Sequence, residues 1–278
     1  MSDLSELWHQ RYGQTPPTLP SIGREAATVL SQLLSHRSVR AFQDQPLPPG
    51  TLAALVAAAQ SAASSSNLQA FSVVAVRDVR RKARLAELSN QQAHIRQAPL
   101  FLVWVADLSR LDRTAERRGG SAGANRYLEM FLVAAVDAAL AAQNAVVAAE
   151  SMGLGTVYIG ALRNHSEAVA AELQLPPDAF ALFGLCVGWP DPTRPTAVKP
   201  RLAQSVVLHE ETYHAGDRNA EAQAVADYDA LIQQFQRSQG VAAVAWSRQA
   251  TQRVAGAQSL SGRHQLTQAL HARGFALE

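Results

Sequence analysis

Residues 33–42 read LLSHRSVRAF, and His36, Arg37, Ser38 and Arg40 crowd imidazole, guanidinium and hydroxyl donors together with no acid among them. Arginine presents a rigid planar fork of donors that matches phosphate oxygens, and serine adds a hydroxyl. A second basic element, VKPRL, sets Lys199 and Arg201 on either side of Pro200 in a proline-rich stretch. Of the 25 basic residues only Lys82 and Lys199 are lysine, which makes Lys199 stand out. One cationic cluster is most often a solvated face. Two clusters, each beside an apolar element in a chain of formal net charge +2, favour a single phosphorylated ligand. Between them, SSSNLQ (64–69) and QQAH (91–94) offer hydroxyls and amides for the edge of a polar heterocycle. VYIGAL (157–162) offers a strand whose small Gly160 and Ala161 let a flat ring approach the backbone. Phosphate donors, edge-reading amides and a small-residue platform together describe a pocket for flavin mononucleotide (FMN).

Other motifs fail on physical grounds. GGSAG (119–123) matches the G-x-S-x-G esterase pattern, but that motif works on a strand-to-helix turn, and RTAERR before it is no strand. HEETYH (209–214) spaces His209 and His214 five apart, whereas two histidines on one helix face are four apart, so no metal is expected. GLGTVYIG lacks the spacing of a dinucleotide-binding glycine fingerprint, so a nicotinamide nucleotide would bind without a Rossmann domain. Cys186, the lone cysteine, lies in the apolar run ALFGLCVGW and reads as a buried, inert thiol. The small net charge argues against nucleic acid, and MSDLSELWHQRYG has no signal-peptide character, which points to the cytoplasm.

These residues need elements to position them. Residues 1–27 read as a polar arm with TPPTLP as a linker, leading into a helix at about 24–35; residues 28–278 read as one FMN-binding domain with a C-terminal helical extension. TLAALVAAAQSAAS is helical and SSSNLQ stops it. FSVVAV (71–76), LFLVWVAD (100–107), TVYIGAL (156–162) and FALFGLCVGWP (180–190) read as strands, with RRKARLAELS helical between the first two. Residues 108–124 read as a flexible exposed segment. YLEMFLVAAVDAALAAQNAVVAAESMGLG is apolar enough to suggest a membrane span, yet Glu129, Asp137, Gln143, Asn144 and Glu150 recur through it, which hydrocarbon would not tolerate cheaply. It reads instead as a long helix at a core or subunit interface, ending near Gly153. Strands separated by helices in an order too irregular for βαβ alternation give an α+β class.

The same stretches, HRSVRAF, AAQSAASSSNLQ, QQAHIRQAP, AAQNAVVAAESMGLGTVYIGALRN, LFGLCVGWP and VKPRL, occur in the order of a known family. From about Leu34 onward the chain resembles the bacterial oxygen-insensitive nitroreductases, in the branch typified by NADPH–flavin oxidoreductases and the major NADPH nitroreductase. The resemblance implies a mixed, mainly antiparallel sheet flanked by helices, with the long helix at a homodimer interface. It implies that His36, Arg37 and Ser38 hold the FMN phosphate and ribityl chain, and that Arg40 lies near the pyrimidine edge and the incoming nicotinamide nucleotide. Ser64, Ser65, Ser66 and Gln69 would line the ring from the partner subunit; Gln92 and His94 would be polar contacts. Tyr158, Ile159 and Gly160 would face the ring, Lys199 and Arg201 would form the second basic element, and Arg237 would bind NADPH.

The implied reaction passes a hydride from NADPH or NADH to flavin N5 and then two electrons to a small aromatic acceptor (a nitroaromatic, quinone or free flavin) with ping-pong kinetics and no catalytic side chain. Alternatives are a flavin reductase that supplies reduced FMN to a partner enzyme, or a non-catalytic module for a phosphorylated ligand. The chain departs from the family pattern at VAAVAW (241–246), where paired arginines are expected, and at Ala161, often glycine. Less positive charge near the nucleotide's outer phosphate would weaken preference for NADPH over NADH. The 108–124 segment is also longer than the family pattern, which could reshape the substrate entrance.

Overall fold

The computed structural model describes residues 2–17, 21–213 and 218–278. Thr18–Pro20, part of the expected linker, and His214 lie outside the described residues. The helices are α1 (Ser2–Tyr12), α2 (Arg24–Leu34), α3 (Thr51–Gln60), α4 (Val79–Leu88), α5 (Ala93–Gln97), α6 (Ser109–Arg117), α7 (Leu128–Ser151), α8 (Ser166–Glu172), α9 (Arg218–Ser238), α10 (Trp246–Arg253) and α11 (Leu266–Ala272). The strands are β1 (Phe71–Val76), β2 (Leu100–Asp107), β3 (Gly155–Ile159) and β4 (Ala179–Gly188). The chain divides into two compact units, one from Met1–Arg37 with Thr196–Leu260, the other from Ser38–Pro195 with Ser261–Glu278.

The second unit is built on one sheet of order β1-β2-β4-β3, with antiparallel ladders throughout. A single parallel bridge, Ser38 to Thr156, sits outside the named strands. This is the α+β class that the sequence implies. β2 is buried along its whole length, and its side chains alternate between two cores, as the two-residue period of a strand requires. Phe101, Val103 and Val105 join Leu85, Ile95, Val169 and Cys186 on one face. Leu100, Leu102 and Trp104 join Leu55, Ala59 and the alanines of α7 on the other. Ala141, Ala142, Ala145 and Ala149 are fully buried there, so α7 meets the sheet through small side chains. Gly184 is required by close packing, since a Cβ on it would lie 2.2 Å from Phe101 Cζ.

The first unit is helical and holds α1, α2, α9 and α10, so the expected N-terminal arm contributes a helix to a packed unit. α1 ends at Gly13, whose φ of +68° suits glycine; its backbone approaches Leu231 of α9 closely enough that a Cβ would lie 2.9 Å from Leu231 Cδ2.

Two expectations need correction. The segment 108–124 is not simply flexible: Ser109–Arg117 forms α6, a mainly polar helix in which Ser109 is buried and Leu111 packs against the core. The third strand stops at Ile159, and Gly160–His165 turn into a 3₁₀ helix, so Gly160 and Ala161 follow the strand rather than extend it.

Candidate functional site

In the first unit, Arg11 ties the backbone at Leu34–His36 to the backbone at Lys199–Arg201, far away in the sequence. The guanidinium of Arg11, at the end of α1, donates to Lys199 O at 2.7 Å, Leu34 O at 2.6 Å and His36 O at 2.9 Å. The backbone N–H of Arg201 in turn donates to Arg11 O at 2.8 Å. Tyr228 of α9 braces the same turn from its buried hydroxyl, which donates to Pro200 O at 3.0 Å. Around this scaffold Arg37, Lys199 and Arg201 are exposed and His36 is half-buried. Arg237 is exposed in the last turn of α9.

In the second unit, residues Ser38 to Arg40 run beside β3. Val39 N donates to Thr156 O at 2.8 Å, burying Val39 and leaving Ser38 half-buried and Arg40 exposed. The charge of Arg40 reaches His94: the imidazole is held below its ordinary pKa of 6.5, first by burial and then by the Arg40 guanidinium. His94 Nε2 is buried and has no hydrogen-bond partner among the described residues. Gln92, half-buried, opens the same short helix and follows Asn90 and Gln91, both with positive φ.

A neutral folded-state His94 has a consequence for stability. Because its folded pKa lies below 6.5, the unfolded chain takes up a proton below about pH 6.5 that the folded protein resists. Stability is therefore fully present above that pH and declines as pH falls through it. Replacing His94→Gln should flatten that decline in thermal melts recorded at several pH values. Equal slopes in the two proteins would contradict the assignment.

The serine loop is the most constrained part of this unit. Ser66, Asn67 and Gln69 have φ of 49°, 55° and 51°, a left-handed conformation that non-glycine residues adopt at a cost. Asp137, only 1% exposed in the middle of α7, holds the loop in place. Its carboxylate accepts from Ser64 Oγ at 2.7 Å, Ser65 N at 3.1 Å and Ala70 N at 3.1 Å. Ser64 Oγ accepts from Gln69 N at 2.7 Å and closes the turn. Arg110 of α6 holds the far end through Gln69 O at 2.8 Å and Phe71 O at 3.0 Å. Ser65, Ser66 and Gln69 are left exposed. On β3, Tyr158 is 39% exposed, stacks edge-on against Phe183, and is followed by buried Ile159 and half-buried Gly160.

The structure thus groups the predicted residues by unit: His36, Arg37, Lys199, Arg201 and Arg237 in one, and Ser38, Arg40, the serine loop, Gln92, His94 and Tyr158–Gly160 in the other. Arg11, Arg110 and Asp137 are the supports that the sequence reading missed. Only Asp137 left a signal, as one of the few carboxylates in a long, mainly apolar helix. Each unit by itself carries donors of the kind that a phosphate or a polar ring edge accepts. Exposed Arg37 and Arg40 form no ion pair among the described residues, and the orphaned Nε2 of His94 and the exposed hydroxyls of a strained loop are groups a polar ligand would satisfy. GGSAG follows helix α6 rather than a strand, and His209 stacks on Tyr213 with ring centroids 4.3 Å apart.

Comparison with known proteins gives a consistent picture. The model of the Nitroreductase family matches residues 33–189, and that of the Nitroreductase family, C-terminal domain, matches residues 199–278. The FMN reductase (NADPH) of Bacillus subtilis is 39% identical over 223 residues, covering 79% of this chain and 88% of the relative. The oxygen-insensitive NADPH nitroreductase of Salmonella typhimurium is 39% identical over 209 residues, covering 75% and 82%. The solved structure of the NfrA1 nitroreductase from B. subtilis superimposes with a TM-score of 0.83 at 36% identity, over 89% of this chain and 99% of that one.

Proposed function

The chain belongs to the nitroreductase family, and from that premise we propose that it is an FMN-dependent NAD(P)H oxidoreductase that reduces nitroaromatics, quinones or flavins two electrons at a time. The observation that carries this reading is the union of His36–Arg37 with Lys199–Arg201 around Arg11, which supplies the cations a phosphate needs. When bound, FMN supplies the hydride chemistry at its N5 and takes electrons from a reduced nicotinamide.

The chain's own residues bind and tune. His36, Arg37, Ser38, Lys199 and Arg201 would hold the phosphate and ribityl chain. Arg40 would place fixed positive charge at the pyrimidine edge, where preorganised charge stabilises developing negative charge better than water does. Ser64, Ser65, Ser66, Gln69, Gln92 and His94 would read the heterocycle's polar edge. Tyr158, Ile159 and Gly160 would back the ring, and Arg237 would take a phosphate of NADPH or NADH. No side chain has to act as nucleophile.

A homodimer fits the exposed side of α7. Leu128, Leu132, Val136 and Leu140 recur every fourth residue and are 45%, 50%, 56% and 44% exposed, forming one apolar stripe. The same helix buries Asp137 against the serine loop, so it serves a protein core rather than lipid. Sedimentation should show a dimer for the wild-type protein and a monomer for Leu132→Glu/Val136→Glu; a wild-type monomer would refute the stripe's role. We place the enzyme in the cytoplasm, where its nicotinamide donors are.

Initial rates with varied NADPH and a nitroaromatic acceptor test the main reading. Parallel double-reciprocal lines are the expected ping-pong signature; a colourless protein without turnover in added FMN would refute it and favour a binding module. The name of the B. subtilis relative supports a second reading, a reductase that hands reduced FMN to another enzyme. Retention of FMN through gel filtration and turnover supports the first reading, and release during turnover supports the second.

A further inference from the structure

Helix α1 lies outside both family-model matches, yet its Arg11 is 5% exposed and reaches both cationic elements of the first unit. We propose that Arg11 is a positioning residue for the FMN phosphate, and that α1 is an accessory clamp setting the spacing of the cations that grip it. This rests on the reading that those cations hold FMN.

The geometry supports the clamp. One guanidinium fork bonds carbonyls of both segments, Leu34 and His36 in one and Lys199 in the other. The backbone of Arg11 then accepts from Arg201 N, so the helix end binds the second element twice. Hydrogen bonds from a charged donor are the stronger class, and a planar fork holds several acceptors in one fixed geometry. Leu4, 7% exposed, anchors the same helix, and Gly13 lets its end close against Leu231. Cation-bearing turns that are ordered on folding need not be ordered again when the anion arrives, which is how preorganisation raises affinity. A clamp on the phosphate end predicts an effect confined to ligands that carry a phosphate.

Dissociation constants of FMN and riboflavin, measured by fluorescence on the full-length apoprotein, test this. Arg11→Met should weaken FMN about tenfold and leave riboflavin unchanged, collapsing the preference between them. A merely structural role would weaken both ligands alike and would overturn the proposal, as would an unaltered preference. Should Arg11→Met not fold, Arg11→Lys keeps the charge but loses the fork; a reduced FMN preference supports the clamp and a wild-type preference overturns it. A wild-type protein that binds FMN no more tightly than riboflavin refutes the phosphate assignment itself, and the clamp with it. A wild-type preference that survives in both variants refutes the clamp alone.

Discussion

Asp137→Ala is expected to destabilise the protein by about 3–5 kcal/mol, because one buried and two part-buried donors lose their shared acceptor at once. Asp137 receives Ser64 Oγ, Ser65 N and Ala70 N, and Ala70 is itself 1% exposed, so water cannot readily replace the carboxylate there. The loop it holds contains three non-glycine residues with positive φ, and such conformations persist only where the surroundings enforce them. Without the latch, Ser66, Asn67 and Gln69 should relax, and FMN affinity should fall together with stability. Asp137→Asn keeps the shape but turns a donor toward donors, and should lose less. Urea unfolding reads the stability difference; an Asp137→Ala protein within about 1 kcal/mol of wild type would contradict the latch.

Arg37→Ala should raise the FMN dissociation constant roughly ten- to a hundredfold, corresponding to about 1.5–3 kcal/mol for a lost hydrogen bond to a charged group. Arg37 is exposed and forms no ion pair among the described residues, so removing it breaks no internal network and should leave the folded protein intact. The affinity of the variant should also fall less steeply with added salt, since one phosphate contact is gone. Arg84→Ala is the control: Arg84 is exposed and pairs with Glu87 on α4, and its loss should leave FMN binding unchanged. Fluorescence titration distinguishes the two, and equal affinities for Arg37→Ala and wild type would remove Arg37 from the phosphate site.

The elements were legible where burial imposes a pattern. LFLVWVAD reads as a fully buried strand because all its residues are apolar except the last, and β2 is buried throughout. The long helix was legible through its length and composition, and its acids marked it as a protein helix; one of them, Asp137, proved to be the loop latch. The segment 108–124 reads as a loop because SRLDRTAER is mostly polar and is followed by Gly119 and Gly120, so no run of apolar residues announces α6. The end of β3 was misplaced because VYIGAL stays apolar while its backbone changes from strand to 3₁₀ helix at Gly160. The supports of the site were illegible for another reason. Arg11 and Arg110 reach the site's loops through backbone carbonyls distant in sequence, and a carbonyl is present at every residue, so those bonds leave no mark in the amino-acid string.

A crystal structure of the full chain with FMN should show the phosphate within hydrogen-bond reach of both cationic elements, with Arg37 on one side and Lys199 or Arg201 on the other. A phosphate held by groups outside both elements, with Arg37 and Arg201 left in solvent, would contradict that placement.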